Sequence, residues 1–400
     1  MTQKDLYIAS KPRYEILDGL RGVAALMVVF FHCFETYNGQ IGTQIINHGY
    51  LAVDFFFMLS GFVIGYAYDN RWDRMSIWGF FKRRLVRLHP MVVAGTLVGV
   101  AFFFLSDCNM FAQVMKVEPW KFFLCLLMGL LMLPCGNELD IRGWGEFNSF
   151  NGPCWSLTFE YIGNILYALL LRRLPTAVLA VLCGGSLFFL LDLTLGFDVF
   201  GLFPDATRYS VIGGWSLTAD QMYIGMTRLS YPLLCGLIMS RLLSKRMTAD
   251  CPSGSPISLR GGFWWASLLL VVVFSVPAVG GDNTLTDGIY QALCIVLVFP
   301  LVMLIGAGSR TTDAKSAAWC DFLGRLSYPL YITHYPLMYM QMSWVERNAA
   351  APLWIHIVLN VGVVIVSVFI AWALLKLYDE PVREWLQRKV LHKKADNAIR

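Results

Sequence analysis

Arg21 and His32 stand eleven residues apart in ILDGLRGVAALMVVFFHCFE (residues 16–35), a stretch otherwise apolar enough to cross a bilayer. An α-helix turns about 100° per residue, so eleven steps return to nearly the same face, roughly 16 Å further along the axis. Asp18, three residues before Arg21, and Glu35, three after His32, extend that polar stripe, while the other sides are Val, Leu, Met, Ala and Phe. Charges facing lipid cost several kcal/mol, so the stripe is expected to face a protein interior or a watery cavity. A neutral imidazole in that position can take a proton from a hydroxyl, and its ordinary pKa of about 6.5 suits general-base work. Arg21 and Asp18 admit a second reading, as a pair at a membrane interface with the arginine snorkelling to water.

Further polar groups recur inside or at the edges of apolar runs. Asp54 opens DFFFMLSGFVIGYAY, where Ser60 and Gly61 leave room for close helix approach or for a narrow substrate passage. FFKRRLVRLHP (80–90) carries Lys82, Arg83, Arg84 and Arg87. Arg84 and Arg87 share a helical face, and the guanidinium fork suits phosphate, whether of a ligand or of anionic lipid. NGPCWSLTFEYIGNILYALLLRR places Trp155, Ser156 and Glu160 at a helix start, where Glu160 or Glu35 is a candidate to orient His32. LGRLSYPLYITHYPL adds His334 inside another span. Neither a metal-like Cys/His spacing nor a Ser-His-Asp arrangement is readable.

The elements that must position these groups are helices in a membrane. Of the 400 residues 57% are hydrophobic and only 15% charged, whereas soluble chains carry about a quarter charged residues. Spans, each needing about 20 residues, are expected near 16–36, 50–68, 91–106, 154–171, 176–196, 221–240, 263–281, 288–308, 319–343 and 353–377. The fold expected is therefore all-α and polytopic, with about ten transmembrane helices. The short run WKFFLCLLMGLLMLP (120–134) is expected to be re-entrant or interfacial, because counting it as a span would split the basic loops between the two sides. With it excluded, six Lys/Arg clusters fall on one side, which makes both termini cytoplasmic. Residues 1–15 then form a cytoplasmic segment, 16–380 the membrane domain and 381–400 a basic tail. The polar first dozen residues predict no cleavable signal peptide.

The net charge of +5 is modest and gathered in those loops, which points to membrane orientation and not to nucleic acid. Segments 107–153 and 197–220 are the larger outward loops, rich in Gly, Asn, Asp and aromatics, a mix suited to sugars or simply to connecting helices. Most of the ten cysteines lie in apolar helices; Cys135 and Cys154 flank one polar loop and are candidates for a disulfide. RLSYPL occurs at 228–233 and again at 325–330, a short trace of an inverted repeat.

Taken together, these pieces resemble the acyltransferase 3 family of bacterial integral-membrane acyltransferases. The resemblance is carried by Arg21-x10-His32, by DFFFMLSGF at 54–62, by Arg83, Arg84, Arg87, Leu88 and Pro90, by NGPCWSLTFE at 151–160, and by LGRLSYPLYITHYP at 323–336 followed by Glu380 and Pro381. Cys154 departs from the family's usual hydrophobic residue. The resemblance implies ten core helices in a bacterial inner membrane and an acyl-coenzyme A donor, commonly acetyl-CoA, bound from the cytoplasm, with no metal. It makes Arg83, Arg84 and Arg87 partners for the donor's phosphates, and Ser60 and Gly61 are counted with them as donor-binding candidates. The acceptor implied is a hydroxyl of a surface or secreted glycan.

On this reading His32 is the base or a transient acyl carrier, Arg21 binds the donor or holds an internal contact, and Asp18, Glu35, Asp54, Trp155, Ser156 and His334 are further candidates at the substrate site. Acylation of a lipid or small molecule is the nearest alternative. A secondary transporter is the rival from another class, since buried Arg and His also mark ion pathways, and a catalytically idle scaffold is a third.

Overall fold

The computed structural model describes residues 11, 13–37, 44–203, 208–247 and 253–391, and among these every regular element is helical. The helices are α1 (Glu15–Glu35), α2 (Ala52–Tyr68), α3 (Ile77–Phe103), α4 (Pro119–Leu131), α5 (Cys154–Leu169), α6 (Thr176–Leu195), α7 (Ala219–Arg246), α8 (Gly262–Ser275), α9 (Leu285–Leu293), α10 (Phe299–Gly308), α11 (Ala314–Thr333), α12 (Tyr335–Arg347), α13 (Leu353–Leu374) and α14 (Glu380–Leu386). Among the described residues seven helical stretches are long and apolar enough to cross a membrane. α4 and α8, of 13 and 14 residues, are apolar but shorter than a bilayer's hydrocarbon core requires.

Prolines account for the main departures from the expected spans. Pro90 lies inside α3, so the third span starts at Ile77 and carries the arginine motif on its first turns. The span expected at 319–343 is broken at His334, between α11 and α12. Pro336 has no N–H to give the Ile332 carbonyl four residues back, and Asn151 Nδ2 donates to that carbonyl instead, at 2.6 Å. Pro300 stands beside a π-turn at Cys294–Val298 that joins α9 to α10.

Two helix pairs hold the middle of the bundle, and both depend on glycine for close approach. A Cβ on Gly61 of α2 would collide with the Leu233 carbonyl of α7, and one on Gly236 of α7 with the Met58 carbonyl of α2. Likewise a Cβ on Gly22 of α1 would strike Leu323 of α11, while Gly324 of α11 faces Asp18. Small residues are what allow backbones to touch where lipid supplies no hydrophobic drive. The two RLSYPL copies lie in these packed partners, α7 and α11. α1 therefore runs through the protein interior with its polar stripe turned toward α11 and α12.

The segment between α4 and α5 is folded around one carboxylate. Asp140 accepts from the backbone N–H groups of Arg142, Gly143 and Gly145 and from the Ser149 hydroxyl. That turn buries Arg142, which lies over the Tyr339 ring at 3.5 Å and donates to Ser149 O and Ser106 Oγ. The loop is thereby clamped onto α12, close to the His32 end of α1.

Candidate active site

At the His32 end, helical spacing puts Glu35 one turn beyond the imidazole. His32 Nδ1 and Glu35 Oε2 are 2.8 Å apart, and the Tyr335 hydroxyl donates to the same oxygen at 3.2 Å. His32 is 16% exposed and Glu35 36%, so the pair is half-open to its surroundings. A carboxylate only accepts, so Nδ1 carries the proton and Nε2 presents a lone pair. His334 is fully buried, with its ring centroid 5.5 Å from that of His32. Its Nδ1 lies 3.1 Å from the Leu330 carbonyl, while Nε2 has no hydrogen-bond partner among the described residues.

A second layer comes from the α4–α5 loop and the start of α5. Ser156 Oγ and the Tyr331 hydroxyl are 2.7 Å apart, and Tyr331 packs beside His334 with ring centroids 6.0 Å apart. Tyr339, whose ring lies 4.7 Å from that of Tyr335, donates to Glu146 Oε2 at 2.5 Å and accepts from Gly152 N–H. Gly152 is required there because a Cβ would overlap the Glu146 carboxyl. Burial pushes the Glu146 carboxyl up to about 8, although the Tyr339 hydrogen bond and the nearby Arg142 pull the other way.

The Arg21 end is built differently. Arg21 donates from Nε to Ser327 Oγ and from Nη2 to Gly324 O, each at 2.8 Å, and pairs with Asp18 at 3.4 Å. Arg84 is buried and donates to Glu160 Oε1 at 2.8 Å, an oxygen that also accepts from Ser60 Oγ at 3.3 Å. Arg87 is exposed and has no ion pair among the described residues; it and Glu160 are close enough to act on Arg21 electrostatically. Arg83 is half-buried, its Nε without a partner.

The sequence-derived candidates therefore separate into groups. His32, Glu35 and His334 come together, with Ser156 one residue removed through Tyr331. Of the two carboxylates considered for orienting His32, Glu35 touches it, whereas Glu160 is held by Arg84 and Ser60. Arg84 is thus committed to a carboxylate inside the protein, which leaves Arg83 and Arg87 as the arginines of that motif not engaged in an ion pair. Gly61 packs against α7, consistent with close approach and not with a passage. Asp54 is fully buried and paired with Arg228 through contacts of 2.6 and 3.2 Å, and Arg228 lies over Trp155 at 5.3 Å. Cys135 approaches Met128 Sδ at 3.7 Å, while Cys154 packs in a different cluster, and both are free thiols. Among the described residues no three His, Cys, Asp or Glu side chains are grouped to hold a metal ion.

Sequence reasoning missed Arg228, Glu146 and the three tyrosines. Arg228 was visible as a lone arginine in a largely apolar run; Glu146 carries no local signal.

The fold and the site together are those of a helical bundle with membrane-length apolar helices and a carboxylate-backed histidine on the first of them. The family model for the acyltransferase domain of the acyltransferase 3 type matches residues 14–376, and the chain belongs to that family. It is similar to protein 2 in the picA locus of Rhizobium radiobacter, 34% identical over 168 residues, covering 39% of this chain and 81% of that protein. It is also similar to the O-acetyltransferase OatA of Staphylococcus aureus, 22% identical over 370 residues, covering 87% of this chain and 54% of OatA. A protein of Staphylococcus aureus strain COL with a provisional O-acetyltransferase name is 23% identical over 335 residues, 80% of this chain and 50% of its own length. The chain thus spans about half the length of these Staphylococcus relatives. No solved structure matches it.

Proposed function

We propose that this protein moves an acyl group, acetyl in the simplest case, from a cytoplasmic acyl-CoA to a hydroxyl of an envelope or secreted glycan, with His32 at the reacting centre. It does so from the inner membrane, with both termini on the cytoplasmic side and ten helices making the crossing. The observation that carries this reading is the His32–Glu35 pair at 2.8 Å, backed by Tyr335.

Ester formation needs an acceptor oxygen stripped of its proton as it attacks the thioester carbonyl. His32 Nε2 is the group to take that proton or to carry the acyl group in passing, and Glu35 serves its Nδ1–H in either role. Collapse of the tetrahedral intermediate expels the coenzyme A thiolate, which takes its proton from the imidazolium in a one-step transfer and from solvent in a two-step one. Arg83 and Arg87 would receive the donor's phosphates at the other end. Arg21 and the Arg84–Glu160 pair then shape the channel between the two ends. The names of the relatives favour O-acetylation, and the loop clamped at the His32 end favours an acceptor arriving from that side.

The test is mass spectrometry of surface glycans from a deletion strain carrying either the wild type or His32→Ala. The expected result is an ester-linked acyl group restored by the wild type and reduced about 10²–10⁴-fold with His32→Ala, the scale of a lost general base. Restoration by both removes His32 from the chemistry. No glycan difference in any strain moves the acceptor to a lipid or small molecule, or the function to transport.

A further inference from the structure

One imidazole nitrogen can act as a base or carry an acyl group, but not both at once. The second imidazole of this site bears on which it does. His334 Nδ1 faces the Leu330 carbonyl, which only accepts, so that nitrogen holds the ring's proton and Nε2 is a lone pair. Nε2 is buried without a partner among the described residues. Buried polar atoms of this kind are few in folded proteins, and each calls for a reason. The ring sits 5.5 Å from that of His32 and tilted 31° to it, with Tyr331 and Tyr335 on its flanks.

The other titratable groups around the pair are already engaged. Glu35, from α1, accepts from both His32 and Tyr335; the Tyr331 hydroxyl, from α11, is taken by Ser156; Glu146, from the loop, lies behind Tyr339. Among the described residues the vicinity of His32 therefore offers one further uncommitted base, His334 Nε2. A one-step transfer has no use for a second base, because the nitrogen that takes the hydroxyl's proton also returns it to the thiolate. A two-step transfer needs one.

We propose that the acyl group is carried on His32 Nε2 and that His334 Nε2 takes the acceptor's proton in the second half-reaction; this rests on the acyltransferase reading above. In the first half, His32 Nε2 attacks the thioester carbonyl, the N–C bond forms and the C–S bond breaks. The Nδ1 proton passes to Glu35, and the departing thiolate takes a proton from solvent, leaving a neutral acylimidazole. In the second half, the acceptor oxygen attacks that acyl carbon while its proton moves to His334 Nε2, directly or through one water. The N–C bond breaks, Glu35 returns its proton to His32 Nδ1, and His334 releases its own to solvent. One proton is taken up and one given back per cycle.

The experiment uses the full-length protein in nanodiscs with acetyl-CoA labelled in the acetyl group. Coenzyme A release and label on the His32 peptide are followed after a neutral quench, and glycan acylation is measured in cells. His334→Gln and His334→Asn keep an amide donor for Leu330 but cannot take a proton. The expected result is a retained stoichiometric burst, hydroxylamine-labile acetyl accumulating on the His32 peptide, and glycan acylation reduced about 100-fold. A folded variant that transfers like the wild type, or one that loses burst and transfer together, overturns the assignment. If neither variant folds, rapid quench of the wild type decides: the acetyl-His32 peptide must appear within the first turnover, and its absence overturns the route. Failure of the wild type itself to cleave acetyl-CoA strikes the donor reading instead, and the two-step route with it.

Discussion

The two ends of the polar stripe on α1 solve the problem of buried charge in opposite ways. At the Arg21 end permanent charges are tied to one another: Arg21 to Asp18, Arg84 to Glu160, and on neighbouring helices Arg325 to Glu380 and Arg241 to Asp69. At the His32 end the interior holds two imidazoles and the Glu146 carboxyl, which burial raises to about 8, and none of the three is tied to a guanidinium. Guanidinium stays charged throughout the physiological range, so the first arrangement is fixed and suits scaffold and anion binding. Imidazole and carboxyl side chains can each hold or release a proton, so the second suits chemistry. The expectation that follows is that mutations at the Arg21 end show mainly in stability or donor affinity, and those at the His32 end mainly in turnover and pH dependence.

The largest effect should fall on the scaffold. Arg84→Ala leaves the Glu160 carboxylate without its partner in a partly buried site, and breaking such a pair costs roughly 3–5 kcal/mol. Thermal unfolding in detergent should show the loss, and Arg84→Ala combined with Glu160→Ala should recover part of it. A stable Arg84→Ala protein with slowed turnover and unchanged donor binding would erase the distinction between the ends. On the other side, Glu35→Gln should fold normally yet turn over more slowly. The loss should be about 10–100-fold, smaller than the roughly 10⁴ seen for a buried triad carboxylate, because Glu35 is a third exposed. Steady-state kcat measured beside thermal unfolding would show the loss of turnover without a loss of stability.

Glu146 sharpens the contrast through pH. Its carboxyl is raised from the ordinary 4.5 to about 8 in the folded protein, so between those values the folded state holds the proton more tightly than the unfolded chain. The stabilising contribution is complete below about 4.5 and is lost as pH rises through about 8, with a slope of up to about 1.4 kcal/mol per pH unit. Melting temperatures measured from pH 5 to 9 should fall with pH in the wild type and be flatter in Glu146→Gln. Equal slopes in the two proteins would remove Glu146 from the list of titrating groups at this end.

How much of this was legible in the sequence depends on the length of chain each contact spans. His32 and Glu35 meet one helical turn apart, and the periodicity of α1 showed them on one stripe. The apolar runs showed the helices for the same reason, since a span's hydrophobicity is local. Tyr335 reaches Glu35 across 300 residues, Tyr339 reaches Glu146 across 193, and Arg228 reaches Asp54 across 174. Nothing local marks such meetings, so His334 was seen as a buried histidine without its neighbour, and Glu146 as an ordinary loop residue. Proline misled in two ways: Pro90 read as the start of a helix that begins at Ile77, and Pro336 left unread as the break that places His334.

Arg87 offers the finest test of the comparison, because it belongs to the paired end and yet has no pair among the described residues. It shares a helical face with Arg84 but points to the exposed surface, and its charge reaches Arg21. If it meets the donor's phosphates at the membrane surface, the contact is solvated and worth no more than an exposed ion pair, about 0.2–1 kcal/mol. Arg87→Ala should then raise the KM for acetyl-CoA by about 1.5- to 5-fold, from that same range of energies, leave kcat unchanged, and show a weaker salt dependence than the wild type. A fall in kcat with KM unchanged would place Arg87 in the channel, acting on the reacting centre through Arg21, and the two ends would have to be treated as one electrostatic unit.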